Sequence, residues 1–423
     1  MVSCMTTYNF DEIINRKGTN CLKYDFAVER GKPADVLPLW VADMDFPVSE
    51  EISKSLHAAV EHGIYGYTQP KDAYYNAVMN WMERNHNWKT KREWIVKTPG
   101  VVFALGAAVK AFTDPGDAVL IQNPVYYPFT NIIRDNDRKV VDNTLVYHPA
   151  TERTVVSVTT DDASEQQIHN VGTVSPAYQM DFDDFERKIE QEHVKLFILC
   201  NPHNPVGRVW TVEELQKLGE ICLRHHVIVV SDEIHHDFVY PGYEHTVFAN
   251  VDPRFAEFTV TCTAPSKTFN LAGLQISNIF IPNENLRKAF KTEIDKTGYD
   301  EPNALGVVAC EAAYRAGEDW LDQLRAYLLK NLNFLRDFLQ EKLPKIHLVE
   351  PEGTYLVWLD CSELGISGEK LDQFIVEKAG LWLDGGSMFG PSGVNFQRVN
   401  IACPRATLEL ALDKLKTAVD SLK

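Results

Sequence analysis

Thr263-Ala-Pro-Ser-Lys-Thr-Phe-Asn-Leu-Ala-Gly-Leu274 follows directly on an apolar run, Phe258–Cys262, and precedes another, Asn278–Ile281. A lysine placed where a buried strand ends, among small residues, is an amine that can shed its proton and attack a carbonyl. Lys267 lies 35 residues after Asp232 of Val230-Ser-Asp-Glu-Ile-His235, and that aspartate also follows an apolar run, Val227–Val230. Paired in this order, the two residues suggest an aldehyde cofactor joined to Lys267, with Asp232 keeping a ring nitrogen protonated.

Working outward, further runs at Ala118–Gln122 and Leu196–Cys200 are short and apolar throughout rather than alternating. Strands covered on both faces read this way, so the pattern predicts a mostly parallel sheet sandwiched by helices. Between two of these strands, Thr211–His225 opens with Thr211 and Glu214 at capping-box spacing and puts Leu215, Leu218, Ile221 and Cys222 on one face. The repeat is βαβ. The C-terminal third differs: Leu321, Leu324, Leu328, Leu332, Leu335, Leu339 and Leu343 form one stripe along a long helix. An apolar strand, Thr354–Asp360, and a last helix carrying Leu408, Leu412 and Leu415 follow. The expected fold is therefore α/β with a smaller α+β domain. Residues 1–48 are assigned to an N-terminal segment of the small domain, 49–290 to the large domain and 291–423 to the small domain, with one helix around 285–315 as the joint. The polar stretch 147–179, β-like at Thr154–Thr159, is expected to be a surface hairpin or extended loop.

Bulk properties narrow the function. At 423 residues, two domains are the default. A net charge of −17 argues against nucleic acid or an anionic membrane as partner. Residues 1–11 show no basic stretch followed by an apolar one, and no run approaches membrane-spanning length. Eight scattered cysteines without a Cys-x-x-Cys read as free thiols in a reduced cytoplasm, and no metal site is expected.

Four more motifs carry chemistry. Thr98-Pro-Gly-Val-Val-Phe103 turns into a helical stretch, Val101–Phe112, whose first N–H groups can hold a phosphate. Gln122-Asn-Pro-Val-Tyr-Tyr-Pro-Phe129 supplies aromatics at a strand end that can lie against a flat ring. Asn201-Pro-His-Asn-Pro-Val-Gly207 makes a rigid turn in which Asn204 can donate its amide to a phenolate oxygen. Asn400-Ile-Ala-Cys-Pro-Arg405 places an arginine just before the last helix, where its guanidinium could grip a carboxylate.

In this order the motifs resemble the fold-type I pyridoxal phosphate enzymes of the aspartate aminotransferase superfamily. Leu39-Trp-Val-Ala-Asp-Met-Asp-Phe46, Gly66-Tyr-Thr68 and Ala264-Pro-Ser-Lys-Thr-Phe-Asn-Leu-Ala-Gly273 make the chain similar to the cystathionine β-lyase/PatB group of carbon–sulfur lyases. The resemblance implies pyridoxal 5'-phosphate joined to Lys267, the proton-moving group. It further implies Asp232 on the pyridine nitrogen, Tyr126 against the ring and Asn204 on its hydroxyl oxygen. Gly100, Val101, Val102 and Ser266 would hold the phosphate and His235 would line the pocket. Tyr127 would supply a nearby hydroxyl, and Arg405, with the backbone near Ala42, would bind the substrate carboxylate. Tyr67 would reach the neighbouring subunit's site, making the enzyme a homodimer. Gln275, eight residues after the lysine, stands where many aminotransferases carry a phosphate-binding arginine. The implied reaction is α,β-elimination of cystathionine or related S-substituted cysteines to pyruvate, ammonia and a thiol such as homocysteine. An aminotransferase of amino acids is the alternative, since it shares nearly every residue named. A regulatory protein that merely holds the cofactor is disfavoured by the acidic charge and the lack of a basic appendage.

Overall fold

The computed structural model describes residues 6–149 and 176–422. Seven strands form its principal sheet: β1 (Ile95–Thr98), β2 (Ala118–Ile121), β3 (Lys139–Asp142), β4 (Leu196–Cys200), β5 (Ile228–Asp232), β6 (Thr259–Thr263) and β7 (Ser277–Phe280). Their spatial order is β1-β7-β6-β5-β4-β2-β3. Only β7 runs against its neighbours, and because it opposes both β6 and β1, β1 points the same way as the rest. β2 and β4 are buried at every position, as expected of strands covered by helices on both faces. The predicted strands of this sheet are present with ends shifted by at most two residues. β1 and β3 were not predicted: each is a four-residue edge strand with a lysine in it, Ile-Val-Lys-Thr and Lys-Val-Val-Asp, too short and mixed to signal burial.

The helix Val101–Phe112 begins at Gly100, and Val212–Arg224 carries the predicted capping box between Thr211 and Glu214. A capping box of this kind stabilises a helix start by about 1 kcal/mol. The joint expected as one helix is two, Glu284–Asp295 and Ala304–Ala316, interrupted by a turn at Gly298, whose φ of 74° suits glycine. The first packs on Val101–Phe112 and the second on Glu50–His62 and Asp72–His86.

A second sheet is antiparallel throughout. Its strands are β8 (His347–Val349), β9 (Leu356–Asp360), β10 (Asp384–Gly385) and β11 (Phe396–Asn400), in the order β8-β9-β11-β10. The leucine stripe of Glu318–Lys342 is buried beside it. Leu37–Pro38 pairs in parallel with Leu381–Trp382, so the N-terminal segment is built into the C-terminal part of the chain. Val146–Tyr147 pairs antiparallel with Tyr178–Gln179, so the two ends of the 147–179 segment lie side by side; its Thr154–Thr159 stretch falls outside the described residues. No helix among the described residues is long and apolar enough to cross a membrane.

Candidate active site

The carboxyl ends of β1, β4, β5 and β6 meet at one edge of the sheet, where ligands of open α/β sheets bind. A cavity of about 180 Å³ opens there, lined among others by Gly100, Tyr126, Asn204, Asp232, Ser266 and Lys267. Val101, Val102, His235 and Ala42 also line it. Each residue arrives by local logic. Asp232 ends β5, Asn204 sits in the turn after β4, and Ser266 and Lys267 occupy the single helical turn Pro265–Thr268 after β6. Gly100 caps Val101–Phe112 without a side chain, leaving the first N–H groups of that helix to face the cavity end.

Lys267 Nζ donates to the carbonyl of Ala42 (2.9 Å), which also accepts from Tyr355 Oη (2.9 Å). Burial lowers the amine to about 8, with the Arg398 charge assisting and the Asp43 and Asp232 charges opposing. An amine so placed is neutral far more often than a surface lysine, as a nucleophile and proton carrier requires. Asp232 is buried and accepts one hydrogen bond, from Ile234 N–H (3.1 Å). Burial pushes its carboxyl up to about 7, so it is a group waiting for a cation. His235 is buried with Nδ1 unpartnered, and burial together with the Lys267 and Arg398 charges holds it well below its usual value. It is a neutral, flat wall.

Arg398, which sequence reasoning missed, lies in the middle of β11 and is buried. It donates to Asn204 Oδ1 (2.9 Å) and the Trp40 carbonyl (3.1 Å) and pairs with Asp384. A guanidinium only donates, so Asn204 must turn its oxygen toward Arg398 and keep its amide N–H groups for another partner. Arg405 is placed elsewhere. Its Nε donates to Asn331 Oδ1 (3.0 Å) and its guanidinium lies 4.4 Å over the Phe334 ring, and it does not line the cavity. The arginine that touches the site is thus 398, seven residues before the expected one. The signal for it was a charged residue inside the apolar-flanked run Phe396–Asn400, where burial demands a partner. Tyr355 was missed too. Tyr127 packs against Tyr126 (centroids 5.4 Å) but faces a neighbouring cavity. Tyr67 is 96% exposed and lies outside the site of its own chain. Gln275 is exposed at φ 48°.

The lysine turn is anchored from below. Thr268 Oγ1 donates to Asp237, which also accepts from Trp81 Nε1 (3.0 Å) and lies 2.9 Å from His86 Nε2 and 3.0 Å from His236 Nε2. All five side chains are buried, and neighbouring donors hold Asp237 well below the usual carboxylate range. Asn270, just beyond, ties the turn to the 39–46 segment through Met44 and Phe46.

The aminotransferase class I and II profile matches residues 34–415. The chain belongs to that family. Cystathionine beta-lyase PatB of Bacillus subtilis is 44% identical over 97% of this chain and all of that protein. Protein MalY of Escherichia coli is 30% identical over 98% of this chain and all of its own length. Among solved structures, cystalysin of Treponema denticola, which contains pyridoxal 5'-phosphate, superposes with a TM-score of 0.89 at 37% identity, covering 99% of this chain and all of that one. The PLP-bound C-S lyase of Staphylococcus hominis gives 0.86 at 35%, covering 98% of each chain. The fold is accordingly that of the fold-type I enzymes, and the cofactor is pyridoxal 5'-phosphate. The donor set fits it: a buried carboxyl seeking a cation, an amide with N–H groups to spare, a capless helix start for an anion, and a depressed lysine.

Proposed function

We infer that the chain is a carbon–sulfur β-lyase, converting an S-substituted cysteine and water to pyruvate, ammonia and a thiol. Pyridoxal phosphate supplies, when bound, the electron sink that takes up the charge left on the substrate's α-carbon. The protein's residues do the rest. Lys267 would hold the cofactor, and its freed Nζ would accept the substrate's α-proton, a transfer contributing about 10²–10⁴-fold. Asp232 would hold the ring nitrogen cationic, Asn204 would donate to the ring oxygen, and Tyr126 would cover the ring. Arg398, rather than Arg405, grips the substrate carboxylate and so aims the α-hydrogen at Lys267. The observation that carries this assignment is its place: buried in β11, Arg398 is bonded to Asn204 of the cavity wall and keeps an Nε–H without a protein partner.

Support for elimination over transamination comes from the relatives, of which PatB is named for the lyase reaction across its whole length. The test is direct. Purified protein with cystathionine should release pyruvate and thiol with no keto acid added; turnover that requires 2-oxoglutarate would establish the aminotransferase instead. The exposed run Ile64, Tyr65 and Tyr67 supports a homodimer in which Tyr67 completes the neighbouring site. Sedimentation should give a dimer, and Tyr67→Ala should depress turnover while leaving that mass unchanged. The seven free cysteines among the described residues support a reducing, cytoplasmic location.

A further inference from the structure

Beneath the lysine turn, five side chains able to ligate a metal pack together: His86, Glu233, His236, Asp237 and His245, each with its side chain at most 3% exposed. His86 closes the helix Asp72–His86, the other four follow β5 in the chain, and the rings of His86 and His236 stand 4.2 Å apart. Asp237 Oδ1 is 2.9 Å from His86 Nε2, and its Oδ2 is 3.0 Å from His236 Nε2. The His245 ring lies 5.4 Å from that of His86, with Nε2 3.4 Å from Glu233 Oε2.

Hydrogen bonds do not account for this cluster. Asp237 already accepts from Trp81 Nε1 and Thr268 Oγ1, and Glu233 accepts from Ser231 Oγ and Phe248 N–H through Oε1 alone. A neutral imidazole carries one N–H and one bare nitrogen, yet neither nitrogen of His236 or of His245 makes a hydrogen bond, nor does Glu233 Oε2. The two buried carboxylates form no ion pair with a lysine or arginine among the described residues; Arg325 donates to the main-chain carbonyl of Asp237 instead. A water could answer some of the nitrogens but none of the negative charge, whereas a divalent cation answers both.

We propose that His86, His236 and Asp237, with His245 as the fourth ligand, form a structural site for a divalent transition metal, zinc in the first place. The donor atoms of the first three lie within 4.8 Å of one another, and ligands about 2.0–2.2 Å from a tetrahedral zinc stand roughly 3.3 Å apart, so the set closes on an ion through small side-chain movements. Three imidazoles and a carboxylate suit zinc and are too rich in nitrogen for magnesium or calcium. Glu233 Oε2, beside His245 Nε2, is the outer carboxylate that orients a ligating imidazole and leaves its Nδ1 for the metal. The ion takes no part in the reaction assigned above, and the site does not depend on that assignment. Its work is to fix Asp237, to which Thr268 beside Lys267 is tied. No spacing in the sequence announces it, because His86 belongs to a different element from the other ligands.

The test uses cofactor-loaded protein purified from cells grown with added zinc sulfate and then dialysed against EDTA, which strips loosely held ions. Elemental mass spectrometry should find about one zinc per chain in the wild type and on the order of tenfold less in His236→Ala and in His86→Gln. His225→Ala should keep its zinc. It disrupts the other such group among the described residues, Glu186, Glu190 and His225 at the surface, where Glu186 is already paired with Arg224. The bound cofactor's visible absorbance shows that each variant has folded. Wild type from cells grown on cobalt should show the ligand-field bands of tetrahedral Co²⁺, and these should be missing from His236→Ala. A wild type without zinc overturns the site, as does zinc retained in both His236→Ala and His86→Gln, or lost equally in His225→Ala. Should the buried variants fail to fold, the zinc content and cobalt spectrum of the wild type decide alone.

Discussion

Exchanging the two arginines one at a time separates what the structure says from what the sequence motif suggested. Arg398 spends hydrogen bonds on Asn204, Trp40 and Asp384, and its Nε–H has no protein partner. Arg398→Met removes the carboxylate grip, one to two charge-assisted hydrogen bonds, about 2–4 kcal/mol of transition-state binding. At about 1.36 kcal/mol per tenfold, kcat/KM should fall roughly 30- to 1000-fold. The substitution also strands the buried Asp384, so Arg398→Met/Asp384→Asn is made alongside, removing the orphaned charge while keeping the loss of grip. Arg405→Met removes the bond to Asn331 and the contact with Phe334, about 1 kcal/mol of stability, and leaves turnover near wild type. The assay is pyruvate release from β-chloro-L-alanine, with the bound cofactor's visible absorbance confirming that each variant is loaded. A greater loss in Arg405→Met than in the Arg398 double variant would refute the assignment.

Lys267→Ala should abolish turnover, and borohydride reduction followed by peptide mapping should find a pyridoxyl group on Lys267 of the wild type and none on the variant. Asp232 adds a pH effect in the unloaded chain. Its carboxyl titrates at about 7 folded against about 4 unfolded, so the unfolded chain loses its proton first and unloaded stability falls as pH rises from about 4 to about 7. The penalty approaches about 4 kcal/mol. A cationic partner removes it, so the Tm gap between loaded and unloaded protein should widen over that range; a constant gap in Asp232→Asn and a widening one in wild type would be the matching pair. Asp237→Ala strands buried Trp81 and Thr268 donors and two imidazoles, and should destabilise by about 3–5 kcal/mol in urea denaturation.

The lysine, its aspartate, Tyr126 and Asn204 were legible because each follows a strand of one parallel sheet, so chain order alone sets them on a common edge. Proximity in sequence to a strand end then stands for proximity in space. Arg398 breaks that rule. It reaches the site from the interior of β11, and what makes a strand arginine tolerable, Asp384 on the neighbouring β10, is itself two residues of strand with no sequence signal. Arg405 looked suitable because it opens a helix, yet Asn331 of the long C-terminal helix claims it. The Ala42 carbonyl, which Tyr355 Oη also donates to, likewise meets Lys267 only through long-range packing. β1 and β3 went unread because each is only four residues long and carries a lysine, too short and mixed to stand out as an apolar run.

The stitching of residues 37–46 into the far end of the chain has a bearing on how the enzyme comes into being. Asn400 holds the carbonyls of Val41 and Asp43 across 359 and 357 positions, so a segment made early on the ribosome has no mate until almost everything else has been translated. Until then the floor beneath the lysine is missing. Nascent or C-terminally clipped chains should therefore be inert, and activity should switch on only as synthesis finishes, which spares the cell a half-built centre able to bind the vitamin without controlling it.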